Sequence, residues 1–181
     1  MPPKLGHWAA SLFVSALLFG AALLVHAQAQ SRDAGREQSC RAFVQKFYDS
    51  YWNQYLAKIK DPNFSLPGTE AVLRAKPPVL SQQLIDLIAK DIKQSKATGE
   101  VGNIDFDPFL NSQDPQGKYL VTKVEVANAT CKATVSRGHV VAELKPSGDS
   151  WIFVNFHYSY YSADGKRKEL PDTDLLAILS K

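Results

Sequence analysis

Cysteine and methionine are almost missing from this chain. Its 181 residues hold two cysteines and one methionine. There is no CxxC pair, which excludes thioredoxin-type redox chemistry. Of four histidines, two lie near the N-terminus, leaving His139 and His157 for the rest. No HExxH, GxSxG or Walker sequence occurs. No metal and no cofactor is therefore expected. An excess of one charge is missing too: 21 basic residues face 18 acidic ones, a net +3. Such a chain has no strong basic field, so nucleic acid is not expected as a partner. Glycine and proline, at 10 each, exclude collagen-like and low-complexity classes. With 22% charged and 45% hydrophobic residues, the chain is that of one ordinary globular domain, with or without a tail.

The first 29 residues differ from the remainder. Lys4 and His7 make a short positive start, and Trp8 to Val25 is uncharged and rich in Ala, Leu, Phe and Val. Ala27-Gln28-Ala29 then gives the small-x-small pattern of a signal-peptidase site, which predicts a signal peptide over 1–29 cleaved before Gln30. Val25-His26-Ala27 offers a second site two residues earlier. The competing reading is an uncleaved anchor, because the run just reaches bilayer length. Ser11, Ser15 and Gly20 dilute it, however, and Gln28, Gln30 and Ser31 follow it directly. The expected product is exported, periplasmic in a Gram-negative cell, with no stable membrane span after cleavage.

Both cysteines, Cys40 and Cys131, lie beyond the leader. An even count in an oxidising compartment predicts a disulfide between them. It would close a loop of 91 residues. Two buried free thiols are the alternative. A Cα separation beyond about 7 Å would exclude the bridge.

Residues 30–37 read as a flexible polar tail or a frayed helix start. Then Cys40, Phe43, Val44, Phe47, Tyr48, Tyr51, Trp52, Tyr55, Leu56 and Ile59 recur at i, i+3, i+4 and i+7, with Arg41, Gln45, Lys46, Asp49, Asn53 and Lys58 between them. That is an amphipathic helix with Cys40 on its apolar face. Its aromatic stripe reads as core, since each ring contributes roughly 1.5–3 kcal/mol when buried. Asp61-Pro62 ends it, and 61–68 is expected as loop. A short helix over Thr69–Ala75 and a longer one over Ser81–Lys96 follow, the second striped by Leu84, Leu87, Ile88 and Ile92 and stopped by Thr98-Gly99.

Residues 101–117 form a polar connector, after which the period changes to two. Leu120, Val124 and Val126 define one strand face. Cys131, Ala133 and Val135 define the next, then Val140, Ala142 and Leu144. Trp151 to Tyr160 is apolar on both faces, as a central strand is. Turns fall at Ala127-Asn128, Arg137-Gly138, Pro146 to Asp149 and Asp164-Gly165. Leu175 to Leu179 make a last short helix capped by Asp172 or Thr173. The predicted class is α+β: N-terminal helices packed on a curved antiparallel sheet of about four strands.

The aromatic first helix, Leu80-Ser81 opening the second, the D-x-D-P-F-x-x-x-Q-D run from Asp105 to Asp114, and Trp151 on the last strand together resemble the DUF3828 family of exported bacterial proteins. The resemblance covers about residues 38–181, one domain. It implies an NTF2-like, cystatin-like cone-shaped α+β fold of unknown function. Some members look like envelope lipoproteins; this chain lacks a lipid-acceptor cysteine after its apolar run. The resemblance supplies no catalytic residue.

Two groups of residues stand out chemically. Asp105, Asp107, Asn111 and Asp114 are oxygen donors of the kind that bind Ca²⁺. Phe109 fills a position where an EF-hand loop needs oxygen, though, and the bidentate Glu is missing. The competing reading is structural, with Asp107-Pro108 starting a turn that Phe106 and Phe109 anchor. On the last strand, Asn155 and His157 share a face, with Tyr158 and Tyr160 beside them. That face could form a pocket with His157 as general base, or meet solvent or a partner. Lys166-Arg167-Lys168 reads as a solvated hairpin tip, and Asn63-Phe64-Ser65 and Asn128-Ala129-Thr130 fit the glycosylation pattern of a eukaryotic secretory route.

Three functions are compatible with these features. The first is a non-enzymatic exported module that binds an envelope protein or a small apolar ligand. The second is a small isomerase- or hydrolase-type enzyme pairing His157 with a carboxylate such as Asp105 or Asp107. The third is an immunity or inhibitor protein against a secreted toxin. A hollow interior would favour a small molecule bound inside; a filled one favours binding at the surface.

Overall fold

The computed structural model describes residues 33–53, 67–113, 117–136, 139–161 and 167–181. The predicted signal peptide lies outside them, as do Tyr55, Leu56, Lys58 and Ile59, Asp61-Pro62, the Asn63 sequon, Asp114, Arg137-Gly138, and Asp164-Gly165 with Lys166. Glu37–Lys181 forms one compact unit. Of the residues before it, 33–36 are described and are helical.

Helices come first. Helix α1 is described over 33–53, so the segment expected as tail or helix start is helical from residue 33. Cys40, Val44, Tyr48 and Tyr51 are buried along one stripe, as the spacing predicts. Helix α2 spans Pro67–Leu73. It begins two residues earlier than expected, because proline at the first helical position loses only an N–H that is unpaired there anyway. Gly68 is required at this start: a Cβ would come within 2.6 Å of the Tyr51 hydroxyl. Helix α3 spans Gln82–Thr98, capped by Ser81 and closed by Gly99 at φ 70°. Its Leu84 and Ile88 are buried.

The sheet has five antiparallel strands in the order β1-β2-β3-β4-β5, namely Val121–Ala127, Thr130–Val135, Val140–Ser147, Ser150–Tyr161 and Arg167–Asp174. The fifth strand corrects the expected four. Arg-Lys-Glu-Leu-Pro-Asp-Thr-Asp has no β-branched alternation, and pairing with β4 rather than local propensity makes it a strand. Pro171 is tolerated there because β5 is an edge.

Leu120 is a second correction. It is 51% exposed while Val121 is buried. The register shifts between Val121 and Lys123, and a bulge of one residue inverts which side chains face in. A second bulge, between Glu143 and Leu144, brings both Phe153 and Phe156 to the core side of β4. Along the first half of β4, residues 79–81 run beside it: Ser81 N donates to Phe153 O at 2.8 Å, and Phe153 N to Val79 O at 2.9 Å.

Helix α4 spans Leu175–Leu179 and is capped by Asp174, rather than Asp172 or Thr173. All four helices contribute to one apolar core against the sheet. The Cys40–Cys131 disulfide joins α1 to β2 across it, with Cα atoms 6.7 Å apart, inside the range a bridge requires. Arg41 and Gln45, expected on a solvent face, instead bind the β1 edge. Arg41 Nη1 donates to Val121 O at 2.6 Å and Gln45 Oε1 accepts from Val121 N at 2.9 Å. Edge amides and carbonyls left open are a liability that these side chains cover. No described helix is long and apolar enough to cross a membrane.

Candidate functional site

The connector between α3 and β1 folds into the interior. Asp107 and Ser112 form an antiparallel bridge that closes a tight loop. Asp107 Oδ1 accepts from the amides of Phe109 at 2.9 Å and Leu110 at 3.0 Å. This is the Asx-turn arrangement to which the Asp-Pro start points. Its Oδ2 accepts from the Tyr51 hydroxyl at 2.5 Å. The turn drives Phe109 and Leu110 into the core, each 0% exposed. Phe109 packs edge-on against Phe47, Tyr51 and Phe156. Tyr48 and Tyr158 donate to the carbonyls of Phe109 and Pro108, at 2.9 and 2.8 Å. Among the described residues, Phe109 thus fills space between α1 and β4.

Burial pushes the Asp107 carboxyl up to about 6, against the opposing pull of Tyr51 and the two amides. Burial, then the Asp107 charge, also raises the Tyr51 phenol. Both Asp107 oxygens are already engaged. Asp105 lies outside on the exposed side, where Gln113 Nε2 donates to its carbonyl at 3.0 Å.

The other expected site residues divide between two environments. Tyr158 points into the core and meets Phe106 edge-on. His157, its neighbour on the strand, must face the opposite way. There its Nε2 lies 2.7 Å from Glu143 Oε2, with Lys132 Nζ 4.0 Å from the same oxygen. His157 thus meets a carboxylate, but neither Asp105 nor Asp107. Asn155 is buried and committed to α4: its amide donates to Asp174 Oδ1 at 2.9 Å and its oxygen accepts from Leu176 N at 3.2 Å. Burial raises the Asp174 carboxyl, but Asn155, the Ala177 and Leu176 amides and His157 outweigh this and hold it below its usual value. Asn155 and Asp174 are a helix cap. His139 is half-buried, its carbonyl accepting from Ser159 N at 2.9 Å. Tyr160 lies on β4 with its side chain outside the described residues.

Among the described residues no cluster of three His, Cys, Asp or Glu side chains could hold a metal ion. Among the described residues, three surface clefts stand out. One, of about 420 Å³, runs between α1 and α2 down to residues 75–79, walled by Phe43, Phe47, Tyr51, Val72, Pro77 and Val79. Lys46, Lys76, Ser50 and Ser150 stand at its sides. A second, of about 340 Å³, lies between α3 and the connector. The Lys96–Glu70 ion pair, at 2.9 Å, neutralises charge beside it. A third, of about 560 Å³, is bordered by Trp52 and Tyr119, and Gln45 Nε2 donates to both Asp49 and the Tyr119 carbonyl there. Sequence reasoning missed the first cleft. Its signal was that Lys46 sits between Phe43 and Phe47, on the flank of the aromatic stripe.

The chain matches no family model, no curated protein and no solved structure.

Proposed function

We propose that this chain is an exported, non-enzymatic binding module of the DUF3828 kind, which takes a small apolar ligand at its surface in the α1–α2 cleft. The observation that supports this reading is the filled interior: Phe109 and Leu110 are wholly buried where a hollow cone would hold its ligand. The cleft beside it has the size and the apolar, aromatic walls of small-molecule sites, which run roughly 300–1,000 Å³. The compartment reading rests on the N-terminal leader and the Cys40–Cys131 bridge, which belongs to oxidising surroundings.

The enzymatic alternative loses one of its expected carboxylates, since Asp107 is consumed by Tyr51 and the Phe109 and Leu110 amides. The His157–Glu143 contact keeps a His–carboxylate pair in a different form, but none of the three clefts is lined by His157.

The test uses the neutral fluorescent probe N-phenyl-1-naphthylamine and the variant Ala75→Trp, which places an indole in the cleft. Saturable fluorescence enhancement in the native protein, lost in the variant, is the expected result. Absence of enhancement would end the small-ligand reading and leave an envelope protein as the partner to be sought.

A further inference from the structure

We infer that the occupant of this cleft is a single-chain anionic amphiphile, an acyl chain ending in a carboxylate or phosphate. The assignment rests on the cleft reading above and names its ligand class. Two kinds of surface meet at the cleft. Its floor is hydrocarbon and aromatic, from Phe43, Phe47, Val72 and Val79. Lys46 and Lys76, both exposed, are also among its lining residues. Among the described residues neither lysine has a carboxylate partner. No acidic side chain is among the described residues that line the cleft. An apolar trough lined by two lysines that have no carboxylate partner among the described residues complements a molecule with a greasy tail and one anionic head. A cationic head would be repelled, and a neutral one would gain no ion pair from the lysines. The Ser50 and Ser150 hydroxyls supply hydrogen-bond donors beside them. A volume of about 420 Å³ suits one chain lying in a trough and not a bilayer surface, which needs a broad exposed patch.

The test is displacement of N-phenyl-1-naphthylamine by dodecanoate, dodecyl phosphate, dodecanol and dodecyltrimethylammonium, each below its micelle concentration. Two exposed lysine–anion contacts give a preference of about tenfold for the two anions over dodecanol. That preference should shrink in high salt. In Lys46→Gln/Lys76→Gln the ratio of dodecanoate to dodecanol affinities should fall to about one, whereas Lys145→Gln, on the exposed end of β3, should keep it. Equal displacement by dodecanol and dodecanoate in the native protein would overturn the headgroup assignment while leaving the cleft reading standing. Retention on phosphatidylglycerol vesicles without displacement by monomeric dodecanoate would overturn it in favour of a membrane surface. No probe uptake at all would remove the cleft reading, and the headgroup assignment with it.

Discussion

Tyr51 on α1 donates a buried hydrogen bond of 2.5 Å to Asp107 in the connector, 56 residues further along the chain. The contact couples two features that look unrelated in sequence: an aromatic stripe on a helix and an Asp-Pro turn. Gly68 leaves room for the same hydroxyl at the start of α2. One phenol thus fixes the relative placement of α1, α2 and the loop that plugs the core.

The Asp107 carboxyl makes stability depend on pH in an unusual direction. Its folded value, about 6, lies above the ordinary 3.8. Below about pH 3 it is protonated in both folded and unfolded chains. Between about pH 4 and 6 the unfolded chain ionises while the folded one keeps its proton, so stability falls as pH rises. A gap of about two pH units amounts to about 3 kcal/mol, fully lost above pH 6. Asp107→Asn keeps an acceptor for the Phe109 and Leu110 amides and removes the titration. Urea unfolding at pH 4 and pH 7 should show the native protein losing about 2 kcal/mol relative to this variant. A difference that stays constant with pH would mean the carboxylate does not titrate in this window.

Phe109→Ala tests whether the interior is closed by the connector. The ring is 0% exposed and touches Phe47, Tyr51 and Phe156. Truncating a buried phenylalanine costs about 3–5 kcal/mol, from lost burial and the cavity left behind. The denaturation midpoint should fall accordingly, and the variant should take up apolar probes at a second, interior site. A loss under about 1 kcal/mol would show that this ring does not close the core.

Much of the fold is legible in the sequence because burial imposes a period. Cys40, Val44, Tyr48 and Tyr51 mark α1, and the runs Cys131–Val135 and Val140–Leu144 mark two strands, each buried as its spacing implies. What escapes is whatever breaks a period or depends on a partner. The bulge after Val121 reverses the expected placement of Leu120. Strand β5 exists because β4 offers it a ladder. The candidate site was less legible. Asn155 and His157 were paired by spacing alone, yet a helix cap claims one and Glu143 holds the other. The cleft arises where α1, α2 and residues 75–79 converge; Lys46 between Phe43 and Phe47 marks only its α1 wall, and no local pattern encodes the meeting of the three.

The Cys40–Cys131 bridge closes a separation of 91 residues. In the chain-entropy model such a loop contributes about 4–5 kcal/mol at most. Cys40→Ala/Cys131→Ala should unfold at lower urea concentration, by up to that amount, without changing the far-ultraviolet circular dichroism of the native state. Native protein isolated without reductant should show no reactive thiols. Two titratable thiols in that protein would contradict the bridge.

The turn between β1 and β2 holds a correctable strain. Asn128 and Ala129 occupy its two positions at φ 48° and 61°. Both central residues of this hairpin turn need positive φ, which asparagine tolerates and glycine adopts freely. Alanine pays a steric penalty there of about 1–2 kcal/mol, from Cβ against the following carbonyl. Ala129→Gly removes that clash but adds about 0.5–1 kcal/mol of backbone entropy to be lost on folding. The net gain is about 0.5–1 kcal/mol, a rise of roughly 1–4 °C in melting temperature for a chain of this size. Ala129→Val, branched at Cβ, should move the melting temperature the other way. A glycine variant that melts below the native protein would show that Ala129 does not hold the left-handed conformation in solution.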